Sequence, residues 1–475
     1  MFDVIVIGGG VVGGLTLREL TKYKLSVCLL EKESDVCMGA SKANSSIVHA
    51  GFDAPQGSLK AVFNVAGNKM MPEVCAELGV KYRNNGSLVV AFSEEEIGTL
   101  EDLKARGEKN GVEGLKIVDR DELRAMEKNI SEDALAALYA PTGGIVCPYE
   151  LTIAAIGNAM DNGAKLFTDF EAADIERTNG GYIVRATDGE AVEGKIIVNC
   201  AGLGSGKIAA LCGDEIKIGG RKGEYILLDR ESGDFVNHTL FFTPTKLGKG
   251  ILVTQTVVDN VLLGPTAEEM QTPDTATTAE GLRFVQEKVR KMCKNPPLFN
   301  TITSFAGVRA YSDRHDFIIE ESKNRKGVIH VAGIESPGLT SSPAIAKYAV
   351  EELVGKLIPL EINENFCGER QADYFFKNLS VEEKNEIIKR DPAYGKIVCR
   401  CEQITEGEIL RAIRENPPAT DIDGVKRRTR AGMGRCQGGF CQPHVAELLA
   451  KEQGVSLDKI TKCGGKSYLV QGVTK

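Results

Sequence analysis

The chain begins with an uninterrupted apolar run that ends in three glycines. Residues 2–10 read FDVIVIGGG, a β-branched segment typical of a parallel strand that is buried on both faces. The segment 11–23 predicts a helix, and SVCLLEK at 26–32 predicts a second strand that ends at Glu31. The alternation of strand, helix and strand favours an α/β fold.

Two later segments have the same pattern of a buried strand that breaks into glycine. They are IIVNCAGLGSG at 196–206 and GVIHVAGIESPGLTSSPAIAKYAVEELVGKL at 327–357, and the second continues into a long amphipathic helix. Strands drawn from the beginning, middle and end of the chain predict a discontinuous nucleotide-binding domain with another domain inserted between its pieces. The period of two in GEYILLDR, from residue 223, is compatible with an antiparallel sheet in the inserted domain.

These patterns divide the chain of 475 residues into five parts. We expect a Rossmann-like nucleotide-binding domain at 1–80, 150–210 and 326–365, an inserted α+β substrate domain at 81–149 and 211–325, a polar linker at 366–395, a small helical domain at 396–455 and a tail at 456–475.

The first turn carries the signature of a dinucleotide site. Gly8, Gly10 and Gly13 have G-x-G-x-x-G spacing, and Glu31 follows about twenty residues later at the end of the next strand. Such a unit places a pyrophosphate at a helix N-terminus, and the acidic side chain receives a ribose hydroxyl. The sequence therefore predicts dinucleotide binding.

Charge and hydropathy exclude several classes of partner. The net charge of −8 gives no reason to expect nucleic acid, and the basic run KRRTR at 426–430 is interpreted as solvated surface charge. No apolar run reaches the roughly 18 residues of a membrane span. The first strand begins without a signal-peptide pattern, so we expect a cytoplasmic protein, in contact with a membrane only through a partner.

Cysteine is abundant for a chain in a reducing compartment. Four of the thirteen form two close pairs, Cys399 with Cys401 and Cys436 with Cys441, and such pairs can hold a tetrahedral zinc or an iron–sulfur cluster. Spacing alone leaves both possibilities open. We expect the other nine to be small hydrophobic residues: Cys28, Cys37, Cys75, Cys147, Cys200, Cys212, Cys293, Cys367 and Cys463.

Residues 1–365 resemble the FAD-dependent oxidoreductases of the D-amino-acid oxidase superfamily. ASKANSSIVHAGFD at 40–53 is similar to the flavin-side segment of type II glycerol-3-phosphate oxidases and dehydrogenases, as are RKGEYILL, TPTKLGKGILV, LLGPTA, SFAGVRA and SPGLTSSPAI further on. The resemblance implies FAD held by Gly8, Gly10, Val12, Gly13, Glu31, Lys32, Ala40, Ser41, Asn44, Ser45, Ser46, Ala172, Ala201, Gly202, Gly333, Gly338, Leu339 and Thr340.

The same resemblance implies an active site. His49 occupies the position of the base that takes the hydroxyl proton, and Lys249 matches a lysine of the substrate pocket. Their alternatives are a histidine packed against the flavin without proton transfer and a solvated turn lysine. Ser45 and Ser336 occupy positions that hold substrate or flavin, although each could equally be a cap or turn serine.

Arg309 is a cation in the apolar segment SFAGVRAY. A buried guanidinium needs an anionic ligand or an acidic neighbour, and its fork suits a phosphate or a carboxylate equally. The residue therefore indicates a small anionic substrate without identifying it.

The C-terminal cysteines belong to a second resemblance. CRCEQITEGEI followed by KRRTRAGMGRCQGGFC is similar to the bacterioferritin-associated ferredoxin domain, which implies a 2Fe-2S cluster on Cys399, Cys401, Cys436 and Cys441. A one-electron carrier attached to a flavoprotein implies delivery to a second redox protein, a flavoprotein or a quinone-linked subunit. We therefore predict a dehydrogenase, although the flavin domain resembles oxidases.

Three functions remain open on the sequence. The first is oxidation of sn-glycerol 3-phosphate to dihydroxyacetone phosphate. The second is the same chemistry on a 2-hydroxy or 2-amino acid, as in L-2-hydroxyglutarate oxidases. The third is a non-catalytic electron-transfer subunit, against which the coincidence of His49, Lys249 and Arg309 argues.

Overall fold

A computed structural model describes residues 1–244, 250–370 and 376–472. Its helices, in chain order, are α1 (Val11–Thr21), α2 (Leu59–Glu77), α3 (Glu94–Lys109), α4 (Arg120–Met126), α5 (Pro148–Asp161), α6 (Ser205–Leu211), α7 (Ala279–Met292), α8 (Gly338–Tyr348), α9 (Val381–Arg390), α10 (Glu406–Arg414), α11 (Ile422–Thr429) and α12 (Gln442–Gln453).

The strands alternate with these helices along most of the chain. They are β1 (Phe2–Ile7), β2 (Val27–Leu30), β3 (Ile47–Val48), β4 (Tyr82–Arg83), β5 (Ser87–Ala91), β6 (Lys116–Asp119), β7 (Ala136–Ala140), β8 (Gly144–Val146), β9 (Lys165–Phe167), β10 (Ala172–Thr178), β11 (Gly181–Ala186), β12 (Ala191–Asn199), β13 (Ile218–Leu228), β14 (Thr239–Phe242), β15 (Leu252–Gln255), β16 (Val261–Gly264), β17 (Glu268–Met270), β18 (Thr301–Ser312), β19 (Ile318–Glu321), β20 (Val328–Ala332), β21 (Ile397–Cys399) and β22 (Ile404–Thr405).

The first sheet has the strand order β10-β11-β12-β1-β2-β9, with β20 also paired to β12 and β19 paired to β20. Strands β9, β2, β1, β12 and β20 run parallel, whereas β10, β11 and β19 join by antiparallel pairing. Its parallel strands come from the beginning, middle and end of the chain. This arrangement is the discontinuous nucleotide-binding sheet that the sequence predicts.

Strand β1 is buried on both faces, as its apolar run indicates. Val4 and Val6 pack into a core with residues of α1 and α8, whereas Ile5 and Ile7 pack into a separate core with residues of β10, β11 and α6. Burial of each such side chain contributes roughly 1.5–3 kcal/mol. The strand therefore holds its carboxyl end, where the glycine turn begins, in a fixed position.

The second sheet is formed by strands of the inserted domain. Its strand order is β17-β13-β16-β15-β14-β5-β7-β6, with β18 paired along nearly the whole length of β13, and the pairs are antiparallel except β14 with β5. A smaller, third sheet has three strands in the order β3-β8-β4. The predicted α/β class with an inserted antiparallel sheet is confirmed.

The C-terminal domain has its own core. The hairpin β21-β22 and helices α10, α11 and α12 enclose a cluster of buried residues that includes Ile409, Val425 and Leu449. The tail continues this domain, because the amides of Ile422 and Asp423 donate to carbonyls of residues 461 and 462. Among the described residues, no helix is long and apolar enough to cross a membrane.

Three details differ from the sequence expectations. Strand β19 pairs in the first sheet, although the sequence places 318–321 in the substrate domain. The segment expected as a linker contains α9, a surface helix held by a capping box between Ser380 and Glu383. Of the nine scattered cysteines seven are buried, but Cys367 and Cys463 are exposed, so these two are not core residues.

Candidate functional site

The glycine turn after β1 is tightly packed. Gly8 has φ +111°, and a Cβ atom there would lie 2.5 Å from the carbonyl oxygen of Cys200. A Cβ on Gly13 would lie 1.9 Å from the carbonyl oxygen of Gly8. Only glycine fits at both places, and the first turn of α1, with Gly10 and Val12, is thereby brought against the ends of β1 and β12.

Two polar side chains complete the turn. The Glu31 carboxylate accepts a hydrogen bond from the Gly9 amide at 2.6 Å and another from the Glu33 amide at 3.0 Å. Ser41 Oγ accepts from the Val11 amide at 2.9 Å, at the N-terminus of α1. Burial raises the pKa of Glu31, although the two amides act in the opposite direction. This cradle of amides and one acid fits the pyrophosphate and ribose of a dinucleotide.

Five further residues predicted to bind flavin either follow strands of the same sheet or lie close to Glu31. Ala201 and Gly202 follow β12, and Gly333 follows β20. Ala172 lies two residues after Phe170, whose amide donates to the Glu31 carbonyl at 2.8 Å. Lys32 adjoins Glu31 but is 65% exposed and pairs with Glu33. Carboxyl ends of parallel strands meet at one edge, where ligands of such sheets bind.

The Asn44 side chain holds the loop from Ala40 to Ser46 by three hydrogen bonds. Its Nδ2 donates to the carbonyl oxygens of Ala40 and Ser41, both at 3.0 Å, and its Oδ1 accepts from the Ser46 amide at 2.9 Å. Ser46 has φ +61°, a left-handed conformation that the hydrogen bond to Asn44 stabilises. Asn44 therefore shapes the loop that leads from the α1 N-terminus to Ser45 and His49.

His49 lies at the end of β3, against the N-terminal turn of α8. Its amide donates to Thr340 Oγ1 at 2.8 Å, and its ring nitrogen Nε2 lies 3.4 Å from Ser336 Oγ. The imidazole also packs on Phe241, with ring centroids 5.8 Å apart. The structure thus brings together His49, Ser336, Gly338, Leu339 and Thr340, at the helix N-terminus that the sequence assigns to flavin.

Arg309 projects from β18 on the face that carries Tyr225 of β13. Its Nη2 donates to the Thr266 carbonyl at 2.8 Å, and its Nε is buried with no hydrogen-bond partner among the described residues. An orphaned donor of this kind indicates an absent acceptor. The guanidinium and the orphaned Nε match the anionic ligand that the sequence expects here.

Tyr225 was not identified from the sequence. Its ring stacks on Phe305 at 4.9 Å and its hydroxyl lies 3.2 Å from Ser45 Oγ. Burial raises the pKa of Tyr225, so the phenol stays protonated and can donate. The period of two along β13 could have placed it on the same face as Arg221, but the sequence does not show that this face meets Ser45.

Gly307 lets the two domains approach closely here. Gly223 of β13 lies opposite Gly307 of β18. A Cβ on Gly307 would lie 1.9 Å from the carbonyl oxygen of Ala43, in the flavin-side loop. The contact sets Ser45, Tyr225 and Arg309 at one junction. Lys249, the remaining predicted site residue, lies outside the described residues.

The four C-terminal cysteines converge in two pairs. The Sγ atoms of Cys401 and Cys436 are 3.6 Å apart, and the thiols of Cys399 and Cys441 form a hydrogen bond. That bond lowers the pKa of Cys399 to about 6 and raises the pKa of Cys441. Two pairs of neighbouring thiols fit a cluster of two irons in which each iron has two protein ligands.

Backbone amides surround these sulfurs. Cys399 Sγ accepts from two amides and Cys436 Sγ from two others; the donors are Glu402, Gly432, Gly438 and Phe440. Over residues 1–244, 250–370 and 376–472, no three His, Cys, Asp or Glu side chains gather so as to hold a single metal ion. The donor set fits a 2Fe-2S cluster better than a tetrahedral zinc.

The basic run 426–430 is not solvated surface charge, contrary to the sequence interpretation. Arg427 and Arg428 both pair with Asp35, which follows β2 in the flavin domain, and Arg428 does so through two nitrogens at 2.8 Å. Arg430 is 4% exposed and reaches Tyr149 and Asn260 in other domains. The arginines were misjudged because their acidic partner lies almost 400 residues away in the chain.

Comparison with known proteins identifies two families along the chain. Residues 3–352 match the family described as "FAD dependent oxidoreductase", and residues 397–451 match the "BFD-like [2Fe-2S] binding domain". A glycerol 3-phosphate dehydrogenase from Caloramator mitchellensis is 49% identical over 477 residues, covering 100% of this chain and 99% of that one. A mitochondrial L-2-hydroxyglutarate dehydrogenase from Pongo abelii is 30% identical, covering 74% and 87%.

A solved structure supports the same assignment. The L-alpha-glycerophosphate oxidase from Mycoplasma pneumoniae, dithionite-reduced and with FAD bound, has a TM-score of 0.74 and 29% identity, over 78% of this chain and 98% of that one. The expected cofactors, FAD and a 2Fe-2S cluster, are thereby confirmed. The chain is an enzyme of the FAD-dependent oxidoreductase family, with a BFD-like 2Fe-2S domain at residues 397–451.

Proposed function

We propose that the enzyme oxidises sn-glycerol 3-phosphate to dihydroxyacetone phosphate and passes the electrons through its C-terminal cluster to a second redox protein. The observation that carries the proposal is the half-buried Arg309, whose buried Nε has no hydrogen-bond partner among the described residues. Arg309 shares a face of the second sheet with Tyr225, whose hydroxyl lies 3.2 Å from Ser45 Oγ. His49, the imidazole that the proposal needs as base, lies 3.4 Å from Ser336 Oγ, just before the N-terminus of α8. The relative from Caloramator mitchellensis, 49% identical along the whole chain, supports this choice of substrate.

His49 is the base in this mechanism. Oxidation of a secondary alcohol removes a proton from oxygen and a hydride from carbon, and an unperturbed imidazole titrates near neutral pH. The Ser336 hydroxyl, 3.4 Å from Nε2, orients the ring. The proton from the substrate hydroxyl goes to Nε2, while the bound FAD supplies the hydride acceptor.

Arg309 holds the anionic end of the substrate. Its Nη2 is fixed on the Thr266 carbonyl, so the guanidinium plane is set before any ligand arrives. The free Nε can then donate a charge-assisted hydrogen bond to a phosphate oxygen. The Tyr225 hydroxyl lies 3.2 Å from Ser45 Oγ, and the Tyr225 ring, stacked on Phe305, is on the same face of the sheet as Arg309.

A 2-hydroxy acid is the second candidate substrate. The arginine fork binds a carboxylate with the same geometry, and the L-2-hydroxyglutarate dehydrogenase from Pongo abelii is 30% identical over 380 residues. The amino-acid alternative has no comparable observation in its favour. Assignment of the chain to an oxidoreductase family argues against the non-catalytic alternative.

The deciding experiment mixes the purified holoenzyme anaerobically with sn-glycerol 3-phosphate and, separately, with L-2-hydroxyglutarate, and follows flavin and cluster absorbance. We expect bleaching by the phosphate and none by the hydroxy acid. His49→Ala should slow flavin reduction by about 10²–10⁴-fold, the usual contribution of a general base. Bleaching by L-2-hydroxyglutarate alone would transfer the mechanism to the second candidate.

A matched histidine variant controls for nonspecific effects. His315 is exposed and has φ +58°, which asparagine tolerates, so His315→Asn should leave flavin reduction unchanged. A similar loss of rate in His315→Asn and His49→Ala would contradict a specific role for His49.

The route of the electrons needs a separate measurement. Cys436→Ser removes one cluster ligand and should leave reduction of flavin by substrate intact while reducing turnover with one-electron acceptors at least tenfold. Oxygen should be a poor acceptor for the unmodified enzyme. Equal turnover with oxygen and with an artificial acceptor, unaffected by Cys436→Ser, would identify an oxidase instead.

A further inference from the structure

The loop that carries Cys399 and Cys401 contains a buried acid next to the second ligand. Glu402 is 3% exposed, and its amide donates to Cys399 Sγ. Its backbone is thus part of the cluster site. Its side-chain oxygens contact two arginines, so Glu402 connects the ligand loop to the surroundings of the domain.

One of these arginines is Arg430, in the same domain. Its Nε donates to Glu402 Oε2 at 3.1 Å, its Nη1 to the Tyr149 hydroxyl at 3.1 Å and its Nη2 to Asn260 Oδ1 at 3.2 Å. Tyr149 belongs to α5 of the flavin domain, and Asn260 precedes β16 of the substrate sheet. The Arg430 guanidinium therefore lies where the three domains meet.

The other arginine comes from the substrate domain. Arg230, which follows β13, places Nη2 at 2.9 Å from Glu402 Oε1 and donates to the Cys401 carbonyl at 3.0 Å. Both oxygens of the carboxylate are thus held, one by each arginine. The Tyr149 hydroxyl also contacts Sδ of Met433 at 3.6 Å, and Met433 is three residues before Cys436.

We propose that Glu402 is a positioning residue for the iron–sulfur cluster, clamped by Arg430 and Arg230 so that docking of the three domains sets the reduction potential of the cluster. The inference rests on the proposed role of the cluster in electron exit. Net charge, hydrogen bonds to the sulfurs and solvent exposure determine such potentials. Glu402 controls the first two, because it supplies a negative charge next to the ligands and an amide to Cys399.

The sign of each effect follows from charge. Reduction adds an electron to the cluster, so removal of a nearby negative charge favours the reduced form and removal of a positive charge opposes it. Glu402→Gln keeps the shape of the side chain and should raise the midpoint potential. Arg230→Gln, at a residue in a different domain, should lower it, and by less because Arg230 is 36% exposed and partly screened by solvent.

The experiment is a dye-mediated anaerobic redox titration of the full-length holoenzyme with dithionite, followed by electron paramagnetic resonance of the cluster. For Glu402→Gln we expect a tenfold shift of the equilibrium towards the reduced cluster, about 59 mV for a one-electron couple. Arg414→Gln is the control, since Arg414 pairs with Glu452 on the surface of the same domain. It should leave the potential unchanged.

Unchanged potentials in both Glu402→Gln and Arg230→Gln would overturn the proposal, and so would an equal shift in the Arg414 control. If Glu402→Gln fails to assemble a cluster, as measured by its iron and sulfide content, Arg230→Gln decides alone: a lower potential supports the proposal and an unchanged one refutes it. The titration uses no substrate, so a failure with sn-glycerol 3-phosphate leaves its outcome unaffected.

Discussion

His49 is restrained at its amide, its carbonyl and its ring. The amide donates to Thr340 Oγ1, and the carbonyl accepts from Asn64 Nδ2 at 2.7 Å and from Asn68 Nδ2 at 3.1 Å. Helices α2 and α8, together with ring contacts to Ser336 and to Phe241 of β14, thus determine where one imidazole lies. Catalytic side chains need such support, because a base acts only within hydrogen-bond reach of the proton that it takes.

The Thr340 hydroxyl can be tested by removal. Thr340→Val keeps the shape of the side chain but leaves the buried His49 amide without its acceptor, at a cost of about 1–3 kcal/mol. We expect the thermal unfolding midpoint to fall by several degrees and flavin reduction by substrate to slow, when samples with equal bound FAD are compared. Thr340→Ser retains the hydroxyl and should behave like the unmodified enzyme; a defect equal to that of Thr340→Val would contradict this account.

Helices α2 and α8 cross at a glycine in the flavin domain. A Cβ on Gly67 of α2 would lie 2.1 Å from the carbonyl oxygen of Thr340 in α8. The crossing brings Asn64 and Asn68 to the His49 carbonyl from one helix and Thr340 to its amide from the other. The close approach of two helices is therefore what assembles the support of the base.

Gly67→Ala should separate these helices. The added methyl group has no space, and overpacking of this kind costs about 1–3 kcal/mol. Gly98 is the matched control, because it lies within helix α3 with nothing within 4 Å of its Cβ position. Gly98→Ala should stabilise by roughly 0.5–1 kcal/mol. Thermal unfolding midpoints should move in opposite directions, and a neutral Gly67→Ala would show that the crossing can relax.

Ion pairs join the C-terminal domain to the two other domains. Asp35 of the flavin domain is 3% exposed and pairs with both Arg427 and Arg428 of α11, and Arg435 pairs with Asp229 of the substrate domain at 2.8 Å. Burial alone would raise the pKa of Asp35, but the two arginines outweigh it and lower the pKa. The cluster domain is therefore docked in one position on the rest of the enzyme.

Asp35→Asn tests this docking. It leaves two buried arginines without a counter-charge, which costs roughly 3–5 kcal/mol. Hydrogen exchange of the α11 amides should accelerate, while exchange in β1 stays unchanged.

The same substitution has a pH dependence. Because the folded pKa of Asp35 lies below the ordinary value of about 3.9, the stabilisation is complete above pH 4 and disappears as pH falls through the folded pKa. The free energies of unfolding of the two proteins should therefore differ at pH 5–8 and converge only as pH falls through the folded pKa of Asp35, below about 3.9. A constant difference across the range would refute the ionic explanation.

Local patterns determined much of this enzyme without any structure. The apolar run at 2–7, the spacing of Gly8, Gly10 and Gly13 and the acid at Glu31 predict the nucleotide turn, because strand burial, close backbone approach and ribose binding each need a residue type at a short, regular distance. The cysteine pairs likewise predict a metal or cluster site. The assignment of individual residues to flavin and substrate stays a prediction.

Contacts between distant segments required the tertiary structure. Asp35 with Arg428, Ser45 with Tyr225 and Glu402 with Arg230 join residues between about 170 and 390 positions apart, and no periodicity within one segment reports such a partner. The charge of Arg427, Arg428 and Arg430 was visible, but its burial was not, since burial depends on which surfaces meet. Sequence determined which chemical groups the enzyme has, and domain packing decided which of them face one another.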